Sequence, residues 1–391
     1  MTNIKKVIGI DASNLLDGGG RTHLIEILGN INPINGKFEK IIIWGAKSTL
    51  KLIEDKPWLI KKNHWQLERN FIYRSFWQSF NLSKMAKMEK CDILLIPGGT
   101  YTGNFHPFVT MSRNMLPFSW NEIKRYKLSW MFFRLLLLRN LQIKTFRNAD
   151  KLIFLSHYAK KSVLEIIGDL GSRTIVIPHG LNRIFDLKPR EQKEIHQYSN
   201  TSPYRLIYVS TIDQYKHQWE VIEAIGKLRI ATGWPLVLYL VGSYYSPALK
   251  KMKESIIKWD PKGDWVKYLG KIEYDQLNSF YKEADLGIFA SSCENMPNIL
   301  LEMMSSGLPI ASSKMGPMPE VLGKDGIYFN PLDSEDIFRS LKTIIESKDL
   351  REFSADRTYA RSKDFNWTKC AENTFDLIER SLIEFQNNLN R

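Results

Sequence analysis

Two glutamates eight residues apart, Glu294 and Glu302, sit in the stretch Ser292-Cys-Glu-Asn-Met-Pro-Asn-Ile-Leu-Leu-Glu-Met-Met-Ser-Ser-Gly-Leu-Pro. The stretch follows an apolar run ending in Ala290-Ser291, and its periodicity predicts a helix that opens near Asn298 and stops at Gly307. Glu294 then stands in the loop and Glu302 about one turn into the helix. A helix start leaves free backbone amides that favour an anion. Amides beside two carboxylates suit a ligand with a diphosphate and hydroxyl-rich rings: the amides take the phosphate, the carboxylates the hydroxyls. Without a ligand, the same residues would be a solvated Glu294 and a Glu302 that aids the helix start. A second candidate is Gly18-Gly19-Gly20, read as a loop just ahead of a helix over 22–31. Three glycines let backbone N–H groups approach an anionic group, or simply make a flexible turn.

Other chemistries find less support. The seven histidines are isolated, no Asp-x-Asp stands near a strand end, and Asp11 and Asp213 are each alone. No metal site and no cofactor are expected. Cys91, Cys293 and Cys370 are too few and scattered for a disulfide framework or a metal cluster. Cys293 has no His or Asp near it in sequence and reads as a small loop residue. His217, after Lys216, is expected to cap a helix or face solvent. His179 either points into a cleft between domains or ties its turn to its neighbours.

These residues need elements to position them. Short apolar runs bounded by Gly, Pro or Asp predict strands at 7–11, 41–44, 93–97, 108–112, 152–156 and 174–178 in the first half. In the second half they fall at 206–210, 236–242, 266–270, 286–291, 309–313 and 327–330. Helical patterns between them argue for repeated βαβ units, hence two doubly wound α/β sheets in succession. Ligands of such sheets bind at the carboxyl ends of the strands. The polar, proline-containing segment 186–203 is the expected linker between an N-terminal domain, 1–185, and a C-terminal domain, 204–370. The tail, 371–391, is expected to form a helix crossing back to the first domain.

The chain has 391 residues, a length that suggests two domains, since single cores stop growing at roughly 250–300 residues. Its hydrophobic fraction of 43% and charged fraction of 25% exclude a largely disordered chain. The net charge of +13 is lopsided: residues 1–185 hold 28 Lys+Arg against 13 Asp+Glu, and the remainder 27 against 29. An anionic partner is therefore expected to meet the first half. Residues 113–147 carry eight basic residues against one acid, interleaved with Trp120, Trp130, Phe132, Phe133 and Leu135–Leu138. The cations suit an anionic lipid surface, and the apolar face is expected to be mainly core. No nucleic-acid-binding pattern appears. The N-terminal apolar stretch is too short for a signal peptide and 130–138 is too short to span a membrane. A cytoplasmic protein, peripheral on the inner face of the membrane, is the expectation.

The Glu294/Glu302 spacing resembles the E-x7-E motif of the retaining glycosyltransferases of family 4, which have the GT-B fold of two Rossmann-like domains facing across a cleft. Further similarities are Gly18-Gly19-Gly20, the turn Ile177-Pro-His-Gly-Leu-Asn182, Tyr208-Val-Ser-Thr-Ile-Asp-Gln-Tyr-Lys216-His, Leu240-Val-Gly242 and Gly316-Pro-Met-Pro-Glu320-Val-Leu. The resemblance implies that Glu302 holds the nucleotide ribose and that Glu294 faces the donor-sugar hydroxyls. Lys216 would neutralise the diphosphate, making Glu294 and Lys216 the catalytic pair. The backbone around Asn295, Met296, Pro297, Asn298 and Ile299 would cradle the phosphates, and the Gly19-Gly20 loop would close over the donor. Lys216 and the helix would do a metal's work on the developing negative charge.

Two departures stand out. The family usually has an Arg a few residues before the Lys, where this chain has Ser210-Thr211; Thr211 lines the donor site instead, with Arg113 or Arg21 as substitute cations. The family often has His-Asp where this chain reads Ser112-Arg113-Asn114, leaving Arg113, Asn114 and His179 as contacts to acceptor or donor. The implied reaction moves a hexose from a nucleoside-diphosphate sugar, GDP-mannose first, to a lipid-linked glycan in bacterial O-antigen or related polysaccharide synthesis. No side-chain nucleophile is assigned. Alternatives are a sugar-nucleotide epimerase or phosphorylase of the same fold, and a non-catalytic membrane-associated scaffold.

Overall fold

The computed structural model describes residues 6–31 and 38–389; residues 1–5 of the N-terminal stretch discussed above lie outside it. The chain divides into two compact units: unit 1 is Met1–Ile123, Lys127–Gly180 and Asn366–Arg391, and unit 2 is Lys124–Tyr126 and Leu181–Phe365.

Unit 1 is built on β1 (Lys6–Ala12), β2 (Phe38–Gly45), β3 (Leu59–Lys62), β4 (Ile93–Ile96), β5 (Phe108–Ser112), β6 (Lys151–Phe154) and β7 (Thr174–Val176), all parallel, in the order β3-β2-β1-β4-β5-β6-β7. Unit 2 has β8 (Tyr204–Val209), β9 (Leu236–Val241), β10 (Val266–Gly270), β11 (Leu286–Phe289), β12 (Ile310–Ser313) and β13 (Ile327–Phe329), again parallel, in the order β10-β9-β8-β11-β12-β13. Runs such as Ile41-Ile-Ile-Trp44 and Ile93-Leu-Leu-Ile96 are buried throughout, as strands covered on both faces must be. All twelve expected strands form. The thirteenth, β3, escaped sequence reading because Leu-Ile-Lys-Lys is a short edge strand with two lysines, only Leu59 being buried.

In each sheet the strand order reverses once, between β1 and β4 and between β8 and β11. Such a switch point opens a crevice at the carboxyl ends of the two strands, where ligands of this architecture bind. In unit 2 the loops there are 210–217, after β8, and 290–297, after β11. They contain Thr211, Lys216, Glu294, Asn295, Met296 and Pro297.

Three expectations need correction. The three glycines are not a loop: the helix runs Gly18–Gly29, so they form its first turn, with Asp17 at the N-cap position making no side-chain cap. Segment 186–203 does not hang between units but is fastened within unit 2. Arg190 donates to the carbonyls of Lys282 (2.7 Å) and Ala284 and to Asp285 (2.8 Å), and Arg351 donates to the Lys193 carbonyl (2.5 Å). Its cohesion comes from polar pairing, which leaves no apolar period to read. The last helix, Trp367–Leu389, starts before residue 371 and belongs to unit 1, where Phe375, Ile378 and Leu382 are buried.

Candidate functional site

The loop after β8 is held from several sides. Gly242, with φ +146°, lies so close to this loop that a Cβ there would sit 2.1 Å from the Ser210 carbonyl oxygen, so only glycine fits. Tyr208 Oη donates to the Lys216 carbonyl (2.6 Å), and Gln218 donates to Ser210 Oγ (2.9 Å) and the Thr211 carbonyl (3.1 Å). Thr211 is exposed, its hydroxyl 3.4 Å from that of Ser243. Lys216 is buried, with its ammonium 4.8 Å from the Tyr215 ring centre and 5.3 Å from that of Phe289. It forms an ion pair with Glu294 on the loop after β11. Removing either member of such a pair leaves the other as an uncompensated, largely buried charge.

His217 was expected to cap or face solvent; neither holds. It takes a left-handed backbone (φ +52°) ahead of the helix Gln218–Thr232, makes no side-chain cap and is fully buried. Its Nε2 is 2.8 Å from Ser292 Oγ, so it joins the two loops. The Ser292 amide also donates to the Tyr215 carbonyl (2.9 Å). Cys293 is a buried free thiol.

The helix Asn298–Ser305 begins after Pro297 with no side-chain cap and no acidic residue in its first turn. Asn298 Oδ1 is buried and accepts no hydrogen bond from the described residues. One turn in, Glu302 is buried, and Tyr281 Oη lies 3.4 Å from its carboxylate. Burial pushes the Glu302 carboxyl up from 4.5 to about 7, with hydrogen bonds from Tyr274 and Tyr281 pulling the other way. Phe185 packs edge-on to Tyr274 and Tyr281, with ring centres 5.2 and 5.7 Å away. Sequence reading assigned no tyrosine a role; nothing in the local pattern marks Tyr274 or Tyr281 as neighbours of a glutamate more than twenty residues on.

The unit 1 candidates also gather, but around one another. Arg113, after β5, donates to the Gly20 carbonyl (3.0 Å), so it braces the glycine turn, and burial lowers its pKa to about 10. Arg21 donates to the Leu16 carbonyl (2.6 Å) and Asn114 Oδ1 accepts from the Leu116 amide (3.0 Å). Gly19 is exposed in the first turn. His179 is buried with its Nδ1 2.8 Å from that of His23, and Trp367 packs against both rings. Of the two readings of His179, the tie within its own unit is the one observed. Gly180 follows it, where a Cβ would sit 2.2 Å from the Trp367 amide nitrogen.

The helix Trp130–Asn148 buries Leu135, Gln142, Thr145 and Phe146 but exposes Trp130, Phe133 and Leu137, so its apolar face is only partly core. Arg139 and Arg147 donate to the carbonyls of Pro117 (2.8 Å) and Ile167 (3.1 Å). Among the described residues no group of three or more His, Cys, Asp or Glu could hold a metal ion, and no helix is long and apolar enough to cross a membrane.

Residues 190–361, which contain both unit 2 loops and the helix Asn298–Ser305, match the family of glycosyl transferases group 1. The family likeness therefore lies in this segment. The chain is similar to the O-antigen chain mannosyltransferase B of Escherichia coli, 26% identical over 172 residues, or 44% of each chain. It spans less than half the length of the first curated relatives it matches. Two solved structures resemble it almost end to end. The Anabaena protein Alr3699/HepE in complex with UDP has a TM-score of 0.67 and 17% identity, covering 96% of this chain and all of that one. The sucrose-phosphate synthase of Thermosynechococcus elongatus has a TM-score of 0.73 and 16% identity, covering 96% and 99%. These likenesses show the fold, GT-B, and the segment that matches the family lies in unit 2.

Proposed function

We propose that the protein is a retaining hexosyltransferase that takes a nucleoside-diphosphate sugar into unit 2 and an acceptor onto unit 1. The observation that carries this reading is the meeting of Lys216 and Glu294 at the β8/β11 switch point, beside an uncapped helix start. A buried ammonium and free amides are what a departing nucleoside diphosphate needs, because they stabilise negative charge as it develops. The phosphates bind Lys216 and the backbone amides of Asn298 and Ile299 at the helix start, and Glu294 turns from the ammonium to the sugar hydroxyls. Glu302, steadied by Tyr274 and Tyr281, takes the ribose hydroxyls. The acceptor hydroxyl attacks from the face the diphosphate is leaving; the sugar–phosphate bond breaks and the leaving phosphate receives the acceptor's proton. Lys216 and the helix start carry this step without a metal.

The likeness to an O-antigen chain mannosyltransferase supports mannose as the sugar moved, in synthesis of O-antigen or a related surface polysaccharide; GDP-mannose as donor and a lipid-linked glycan as acceptor complete the proposal. The basic unit 1 supports a position on the anionic inner face of the membrane. Calorimetric titration with GDP, UDP and dTDP, with and without added magnesium, tests the reading. One nucleotide should bind without metal and lose binding in Glu302→Ala; failure of all three at millimolar concentration would defeat it.

A further inference from the structure

We propose that unit 1 lies on an anionic bilayer through the exposed face of its helical segment 71–88. This rests on the membrane-surface reading above and moves the main contact away from 113–147. The segment consists of Phe71–Trp77, a π-helical turn Gln78–Leu82 and Ser83–Met88, opened by an Asn70 cap. One face, with Trp77, Leu82 and Ala86, is buried in the core against Trp44, Leu94 and Phe108. The other leaves Phe71, Ile72, Tyr73, Phe76, Phe80 and Met88 in solvent, Ile72 at 70% and Phe80 at 65% of full exposure. Ile72, Phe76 and Phe80 recur every fourth residue and so share a face, with the two phenyl rings 4.6 Å apart. Aromatic and aliphatic side chains grouped like this on a monomer surface mark an interaction site.

Charge decides the occupant. Residues 69–90 hold five Lys or Arg and one acid, Glu89, which pairs with Lys62. Lys84 and Lys87 line a cleft of about 580 Å³ together with Ser79, Thr102 and Asn104. Two ammonium groups beside hydroxyls at the edge of an apolar ridge match a lipid phosphate above its acyl chains. A sugar-stacking platform would instead be rich in Trp and Tyr; Ile72 and Met88 offer a sugar no ring. The helix Trp130–Asn148 also exposes apolar residues, but Arg139 and Arg147 are engaged by backbone carbonyls.

Vesicle flotation of the full chain tests this, with phosphatidylglycerol-containing and pure phosphatidylcholine vesicles. The wild type should float with the anionic vesicles only. Ile72→Ser/Phe76→Ser/Phe80→Ser should weaken flotation by about tenfold or more, whereas Trp130→Ser/Phe133→Ser should change it by less than about twofold. Lys84→Glu/Lys87→Glu, which alters only exposed side chains, should also weaken it about tenfold and serves if the triple variant fails to fold. Nucleotide binding by unit 2 should be unchanged in all of them. If the wild type floats with neither vesicle, the membrane reading itself fails. If it floats but the 71–88 variants float equally well, or only the Trp130/Phe133 variant is impaired, the membrane reading stands and this assignment is overturned. Normal flotation of the triple variant with loss of transfer to a water-soluble acceptor would also overturn it, in favour of a glycan platform.

Discussion

Units 1 and 2 share one topology but use their strand-end residues in opposite ways. After β8 and β11, Lys216 and Glu294 meet each other across two loops, and each retains bonding capacity that a ligand can take over. In unit 1 the candidate polar residues, which follow β1, β5 and β7, are committed to their own unit: Arg113 to the Gly20 carbonyl, His23 and His179 to each other beside Trp367. A sheet order that creates a crevice therefore does not by itself create a reactive site. The difference lies in whether the polar groups find backbone and neighbouring rings, or only an exchangeable charge.

The contrast is broken most directly at Lys216. Lys216→Ala should lower transfer by about 10²- to 10³-fold, as expected for removing one group that stabilises a developing anion, and should also lower the melting temperature because Glu294 is left as a largely buried, uncompensated charge, so the rate is compared on folded protein. A variant that keeps near-normal steady-state rates would remove unit 2's claim to the chemistry. Glu294→Gln sharpens the point. Transfer should fall by about 10²-fold through loss of a charged hydrogen bond to the sugar, while calorimetry should show nucleoside diphosphate binding at least as tightly as before, since the ammonium no longer has a carboxylate to leave. Weaker diphosphate binding would show that Glu294 does not compete for Lys216.

In unit 1 the expected losses are of stability. Gly180→Ala should cost about 1–3 kcal/mol by overpacking against Trp367, seen in denaturant melts, while nucleotide affinity stays the same. Smaller effects should appear in pH dependence, with opposite signs in the two units. Burial holds His23 and His179 well below the ordinary 6.5, so the unfolded chain binds more protons as pH falls through that value. Their contribution is complete above about 6.5 and is lost on acidification; His179→Gln should flatten that part of a melting-temperature profile. Glu302 runs the other way. Its carboxyl is raised from 4.5 to about 7, so its contribution is present below 4.5 and declines as pH rises towards 7. Glu302→Gln should remove that slope, the smallest of these changes.

Much of the scaffold was legible from composition alone, because strands covered on both faces must be apolar throughout, as 41–44 and 286–289 are. The start of the helix at Asn298 was legible too, since Pro297 precedes a periodic run that ends before Gly307. The role of the glycines was not. Gly18–Gly20 look like a loop because glycine weakens helices, yet the chain carries the helix back through them. His217 looked like a surface residue because nothing adjacent signals burial; Ser292, its partner, is 75 residues away. The exposure of Phe76 and Phe80 was equally hidden, because an aromatic on an amphipathic helix reads as core until its neighbours are known.

The sequence by itself determined that this is a chain of βαβ units with its acidic pair at a helix start and its positive charge in the first half. Those are properties of local period and composition, which need no long-range information. Only the tertiary structure decided that β8 lies beside β11, which brings Lys216 to Glu294, and that Tyr274 and Tyr281 stand over Glu302. It also decided that Arg113 and His179 are absorbed into the framework of unit 1. Pairings of this kind span tens of residues and depend on strand order, and a local pattern of side chains does not encode which strand a sheet will place next to which.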